Sequence, residues 1–212
     1  MTTRKYICVF CGAHTGNAGN YVRIVRDVAG RLAAAGFGIV YGGGRVGLMG
    51  VLADAALAAG AEVIGVIPEA LAGSEIAHGG LTRLHVVGSM HERKALMADA
   101  SDAFIALPGG FGTMDELCEI LTWAQLQIHD KPVGLLNAGG YYDELLAFFD
   151  RSVREGFVSA HNRGLLRVAN VIDELLQVMG LQGAPSRETR DYSRTRTVAK
   201  AVLPNSSGAS SR

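Results

Sequence analysis

The sequence predicts an α/β fold: a doubly wound, mostly parallel sheet of about seven strands with helices on both faces. Three observations lead there. Short β-branched, apolar runs alternate with segments of helical periodicity through most of the 212 residues. The runs are solidly apolar, as strands covered on both faces must be. Glycine-rich turns at 12–16, 42–44 and 109–112 each follow such a run. They fall at the carboxyl ends of strands, where open sheets of this Rossmann-like kind bind ligands.

The first strand spans 6–10 and ends in a turn of small residues, 11–16. A helix follows over 21–35, with Val22, Val25, Val28, Ala29 and Leu32 at helical spacing and Gly36 suited to its C-terminal end. The second strand, 38–41, runs into Gly42, Gly43 and Gly44, and a helix over 48–59 stops at Gly60. The third strand, 62–67, is halted by Pro68, and 69–80 is a polar connection with room for a helical turn. The fourth strand, 82–87, precedes a helix that starts at Ser89 or Met90. The fifth strand, 102–107, meets the third glycine turn and then a helix over 113–127. A sixth strand (132–136), a helix (141–156), a seventh strand (165–169) and a last helix (171–179) complete the pattern.

After Gly183 the chain turns polar and aperiodic. The expected organisation is one domain over 1–183 and a disordered tail over 184–212. That tail carries six Lys/Arg and two acids, a net +4, against −4 for the remainder. The whole chain has zero formal charge, which gives no electrostatic case for nucleic acid. No signal-peptide run or bilayer-length apolar run is present, so a soluble, cytoplasmic protein without membrane contact is expected.

Several chemistries lack their residues. Cys8 and Cys11 have redox-motif spacing but lie along a strand and into its turn, whereas a redox CxxC opens a helix; buried thiols are the expectation. The six histidines are scattered, and no metal site is expected. The glycines of 42–47 (GGGRVG) have dinucleotide-fingerprint spacing, yet no acid ends the following strand, which closes VIP at 66–68. No P-loop occurs. No cofactor is expected.

What remains is the stretch 107–116, LPGGFGTMDE. A glycine turn between strand and helix aims free N–H groups and the positive end of a helix dipole at one point, which suits a phosphate. Thr113 occupies an N-cap position with Glu116 three residues later. That spacing fits a capping box; it also fits a threonine that holds an anion beside a chemically active glutamate. Arg93 and Lys94 lie in the first turns of the preceding helix. If the fourth and fifth strands are neighbours, both helix starts open into one crevice.

The pair of motifs, MHERK at 90–94 and PGGFGTMDE at 108–116, resembles the LOG (Lonely Guy) family of cytokinin riboside 5′-monophosphate phosphoribohydrolases. The match extends through GGG at 42–44, GLMG at 47–50, VIP at 66–68, LTW at 121–123, HDKPV at 129–133 and GGYY at 139–142. The resemblance implies that Arg93 and Glu116 form the catalytic pair, and that Gly110, Gly112 and Thr113 hold the 5′-phosphate. It places Glu75, Lys94, Thr122, Gly43, Gly44 and the rest of the glycine turn and helix start (Gly109, Phe111, Met114, Asp115) against substrate. The implied reaction releases adenine or an N6-modified adenine, plus ribose 5-phosphate, from AMP or isopentenyladenosine monophosphate. A homodimer is implied too. Two features depart from expectation. The family's first turn carries Ser-Ser where Ala13-His14 stands here. Members often carry a lysine decarboxylase label, yet no lysine here has a Ser-x-His-Lys setting for pyridoxal phosphate. A non-catalytic carrier of a nucleotide or cofactor is the alternative; it would need the glycine turns but not the Arg93–Glu116 pair.

Overall fold

A computed structural model describes residues 5–17, 19–73 and 77–181. Seven parallel strands form one sheet: β1 (Tyr6–Phe10), β2 (Gly38–Tyr41), β3 (Val63–Pro68), β4 (Arg83–Val87), β5 (Ala103–Ala106), β6 (Val133–Leu136) and β7 (Leu166–Ala169). Their order is β4-β3-β2-β1-β5-β6-β7. The helices are α1 (Asn20–Ala34), α2 (Gly47–Ala58), α3 (Met90–Asp99), α4 (Phe111–Gln125), α5 (Asp143–Arg154), α6 (Ala160–Arg163) and α7 (Ile172–Val178). Short 3-10 turns, Glu69–Leu71 and Ala138–Gly140, precede β4 and α5.

Strand periodicity divides the core into two layers. Ile7, Val9 and Cys11 face a cluster with α1, α2 and α7, while Tyr6, Cys8 and Phe10 face one with α3, α4 and α5. Every residue of β1 is therefore buried, which is why the strand reads as an unbroken apolar run. Cys8 and Cys11 point to opposite faces, too far apart in direction for a redox pair. Both thiols are free, and burial pushes both well up. The two edge strands are the exceptions to solid burial, with Leu84 and Val86 exposed on β4 and Arg167 exposed on β7. On α1, Val25, Val28, Ala29 and Leu32 are the buried stripe; Gly36, at φ +80°, closes the helix with Phe37 N–H donating to the Leu32 carbonyl.

Two expectations need correction, and one short helix was not anticipated. Helix α4 begins at Phe111, with Gly110 as its N-cap, so Thr113 is inside the first turn and caps nothing. The capping arrangement sits one helix earlier: Ser89 Oγ accepts from Glu92 N–H at 3.1 Å, and Glu92 Oε2 accepts from Gly88 N–H at 2.8 Å. Strands β4 and β5 are not neighbours, since β3, β2 and β1 lie between them. The short helix α6, capped by Ser159, falls in a polar stretch with too few residues to show periodicity. Glu75 and the 184–212 tail lie outside the described residues. Among the described residues, no helix is long and apolar enough to cross a membrane.

Candidate active site

The chain reverses its direction of strand addition between β1 and β5, and a crevice opens there at the carboxyl ends. A cavity of about 560 Å³ fills it. Its walls are the β1–α1 turn (Cys11 to Gly16), Gly42 and Gly44 after β2, Ile67 at the end of β3, Arg93 of α3, the 108–113 turn and Glu116 of α4.

The 108–113 turn is held from both sides. Gly12 N–H donates to the Pro108 carbonyl at 3.2 Å, and the hydroxyls of Tyr141 and Tyr142 donate to the carbonyls of Gly109 and Leu107, each at 2.7 Å. Gly109 is required by contact: a Cβ there would stand 2.1 Å from Thr113 Oγ1 and 2.9 Å from Gly12 N. Thr113 is 2 % exposed, and its hydroxyl has no hydrogen-bond partner among the described residues. The backbone N–H groups of Phe111, Gly112 and Thr113 likewise make no bond among the described residues, whereas Met114 N–H already reaches the Gly110 carbonyl. The first turn of α4 thus offers a buried hydroxyl and three donors at the positive end of a helix dipole, the composition of an anion site. The start of α2 does not compete as such a site. Its Leu48 N–H donates to the Gly12 carbonyl at 3.0 Å, and Gly47 packs where a Cβ would strike Ala13.

Arg93 and Glu116 meet despite their distant strands. Helix α3 leaves the β4 edge and packs its Met97 and Ala98 against the middle of the sheet. That crossing brings Arg93 Nη2 within 3.0 Å of Glu116 Oε1, and Arg93 Nε donates to the Val66 carbonyl at 3.2 Å. Gly42 makes the room, because a Cβ there would lie 2.1 Å from Nη2. Both side chains are largely buried. Burial pushes the Glu116 carboxyl up to about 7; Arg93 pulls it down, Asp115 adds to the rise, and Lys94 opposes it. A carboxyl poised there serves as base or electrostatic stabiliser near neutral pH.

Of the residues expected at the site, Arg93, Glu116, Gly44, Gly109, Gly110, Phe111, Gly112 and Thr113 line the cavity. Phe111 is 97 % exposed at its mouth. Gly43 stands behind the wall at φ +75°, packed on Ile67. Met114, Asp115 and Lys94 are not part of the cavity wall, and Lys94 is paired with Asp115 and Glu119. Thr122, two turns further along α4, donates to the Cys118 carbonyl and lines a separate shallow cleft with Phe149 and Asn162. Sequence reasoning assigned no role to Tyr141, which anchors the turn and lines the cavity beside Tyr21. Its signal was the paired tyrosines just past the end of a strand.

Comparison with known proteins agrees with this geometry. A family described as "possible lysine decarboxylase" matches residues 49–179. The probable cytokinin riboside 5′-monophosphate phosphoribohydrolase LOGL1 of Oryza sativa subsp. japonica is 52 % identical over 173 residues, covering 82 % of this chain and 78 % of that one. The cytokinin riboside 5′-monophosphate phosphoribohydrolase LOG1 of Arabidopsis thaliana is 49 % identical, covering 82 % and 81 %. Among solved structures, the molybdenum cofactor binding protein of Rippkaea orientalis superimposes with a TM-score of 0.65 over 85 % of this chain and 98 % of that one. At 20 % identity it speaks for the fold alone. On the sequence identity and its extent, the chain belongs to the LOG family, that of the cytokinin riboside 5′-monophosphate phosphoribohydrolases.

Proposed function

We propose that this protein hydrolyses the N-glycosidic bond of adenosine 5′-monophosphates, N6-prenylated ones included, to the free base and ribose 5-phosphate. One observation carries the reading: a buried Arg93–Glu116 pair at 3.0 Å stands in the same cavity as the unpartnered donors of α4. The free N–H groups of Phe111, Gly112 and Thr113, with the Thr113 hydroxyl, hold the 5′-phosphate beside Gly110, which places the ribose one helical turn further on, at Glu116. As the C1′–N9 bond breaks, its electron pair leaves with the purine and positive charge builds on the ribose. The Glu116 carboxylate stabilises that charge and takes the proton of the water that bonds to C1′. Arg93 stays protonated throughout; it orients Glu116 and faces the departing base as an electrostatic partner. The proton taken by Glu116 returns through solvent to a ring nitrogen of the base, so one water is consumed, Glu116 is restored as the carboxylate and the products balance.

The carrier reading draws on the same glycine turns, and structural neighbours include a molybdenum cofactor binding protein and the molybdenum cofactor carrier protein of Chlamydomonas reinhardtii. A carrier has no use for a buried carboxylate–guanidinium pair set beside its anion site. The pair favours turnover. Incubation with AMP and with isopentenyladenosine monophosphate tests this directly: free base and ribose 5-phosphate are expected, and binding of both without release of base would refute hydrolysis. The ratio of the two rates reports whether the N6 substituent is required. A cytoplasmic homodimer is part of the same reading; the exposed Phe148 and Phe157, near the cleft that holds Thr122, support pairing there. Light scattering should return twice the 22.3 kDa chain mass.

A further inference from the structure

The HDKPV stretch at 129–133 leads into the amino end of β6, at the opposite end of the strands from the cavity, and none of its residues lines that cavity. Its side chains nevertheless reach both helices that carry the Arg93–Glu116 pair. His129 Nε2 donates to the Ile120 carbonyl of α4 at 3.0 Å. Lys131 Nζ donates to the Ala98 carbonyl of α3 at 2.7 Å. A third bond joins the two residues, from Lys131 N–H to His129 Nδ1 at 3.1 Å. That bond settles the tautomer: Nδ1 accepts, so Nε2 holds the proton and the ring is neutral. Burial lowers the imidazole pKa and Lys131 lowers it further, against the pull of the Ile120 carbonyl, which keeps the ring in that state. The turn is itself fixed to the sheet. Phe104 N–H of β5 donates to the Pro132 carbonyl at 2.9 Å, and the Phe104 and His129 rings lie 5.3 Å apart. Helix α3 has no basic residue in its last turn, so Lys131 supplies the cation that its carboxyl end favours.

We propose that His129 and Lys131 are positioning residues of the reaction: from a turn fixed to the sheet they hold one carbonyl of α4 and one of α3, and so set the separation at which Glu116 meets Arg93. The inference rests on the hydrolase reading above. Arg93 and Glu116 take no register from adjacent strands, because β4 and β5, which precede their helices, are separated by three others. Their separation depends on how α3 and α4 are held against each other. Ala98 lies five residues beyond Arg93, and Ile120 four beyond Glu116. At a rise of about 1.5 Å per residue, each tie is roughly 6–8 Å along the helix from the group it positions. A helix barely bends over so short a length, so a shift at the tie is passed on to the side chain. The donors of the first turn of α4 lie at the other end of that helix and stay in place.

The test reads base release from AMP and, separately, the carbon-13 titration midpoint of the Glu116 carboxyl, assigned by its loss in Glu116→Gln. Lys131→Met keeps an aliphatic stem and removes the bond to Ala98, whereas Lys131→Arg keeps a charged donor. His129→Asn keeps an acceptor at the Nδ1 position and removes the donor to Ile120, whereas His129→Gln keeps that donor. Lys131→Met and His129→Asn should each lower kcat by about tenfold or more, with KM and the affinity for ribose 5-phosphate within about threefold of wild type. Burial raises the Glu116 midpoint and Arg93 is the main group that holds it down, so it should climb in both variants. Lys131→Arg and His129→Gln should stay near wild type in both readouts. A lower Tm with wild-type kcat and an unmoved midpoint would make the turn a structural staple only and overturn the proposal. A rise in KM with kcat unchanged would overturn it too. The two positions are read independently, so if one variant does not fold the other decides. If the wild type releases no base, the hydrolase reading fails on its own, and the Glu116 midpoint still decides whether the turn positions the pair.

Discussion

At the scale of single residues, Glu116 is held in a state that serves chemistry at the cost of stability. In the fold it keeps its proton up to about pH 7, against 4.5 for an ordinary glutamate. The folded chain therefore binds more protons than the unfolded chain between those values, and stability falls as pH rises across the window. Glu116→Gln carries no ionisation and escapes this loss. It should gain on the wild type by on the order of 3 kcal/mol between pH 4.5 and pH 8, read from denaturant melts at both ends. Its turnover should drop on the order of 100-fold or more. A variant that melts in parallel with the wild type at every pH would remove the strained carboxylate from the account. In the wild type, kcat/KM should fall below about pH 7, because the ionised form is the working one; a rate that climbs toward acid would assign Glu116 a proton-donating role. Gly42 makes the complementary case. Its φ is ordinary, and the only severe clash of an added Cβ is with the tip of Arg93, at 2.1 Å. Gly42→Ala should fold with little loss of stability, while its kcat falls by about 10- to 100-fold through displacement of the guanidinium. Full activity in that variant would show that the placement of Arg93 is immaterial.

At the scale of elements, the first turn of α4 carries a polar group that the empty protein does not need. Thr113 Oγ1 is buried without a partner, a cost of about 1–3 kcal/mol that an isosteric apolar side chain avoids. Thr113→Val should therefore leave the free protein as stable or more so, and weaken binding of AMP and of ribose 5-phosphate by tenfold or more. Loss of stability with unchanged affinity would make Thr113 a packing residue only. The sequence showed the strand and helix series well, because burial on two faces writes unbroken apolar runs and burial of a helix stripe writes a 3.6-residue period. It showed the glycine turn at 108–112 for the same local reason. It misled on Thr113, since a threonine three residues before a glutamate reads alike as a cap or as the inside of a first turn, and the cap was decided by the backbone of Gly110. The Ser89–Glu92 arrangement had the same spelling and was the true cap. The two partners of Lys94, Asp115 and Glu119, lie on another helix and could not be read locally.

At the scale of the whole molecule, the order of strands does what no local pattern states. Arg93 and Glu116 follow strands separated by three others, and α3 closes that gap by crossing the sheet. The cavity consequently takes its walls from the ends of β1, β2, β3 and β5 and from Tyr141 beyond β6, five strands of one sheet. A ligand that bridges these loops binds the folded state and has nothing comparable to bind in the unfolded chain, so its whole affinity adds to global stability. At 100 times its dissociation constant that addition is about 2.7 kcal/mol, which for a domain of this size raises Tm by roughly 5–10 °C. The catalytically disabled Glu116→Gln variant allows the measurement with intact AMP. Scanning fluorimetry should show one cooperative transition that moves up with AMP and, less, with ribose 5-phosphate. Adenosine, which lacks the phosphate for the α4 donors, should move it little. The same series in Thr113→Val should lose most of the shift for both phosphorylated ligands. Equal shifts with adenosine and AMP would place the binding energy on the base rather than at the helix start, and would detach the 108–113 turn from phosphate recognition.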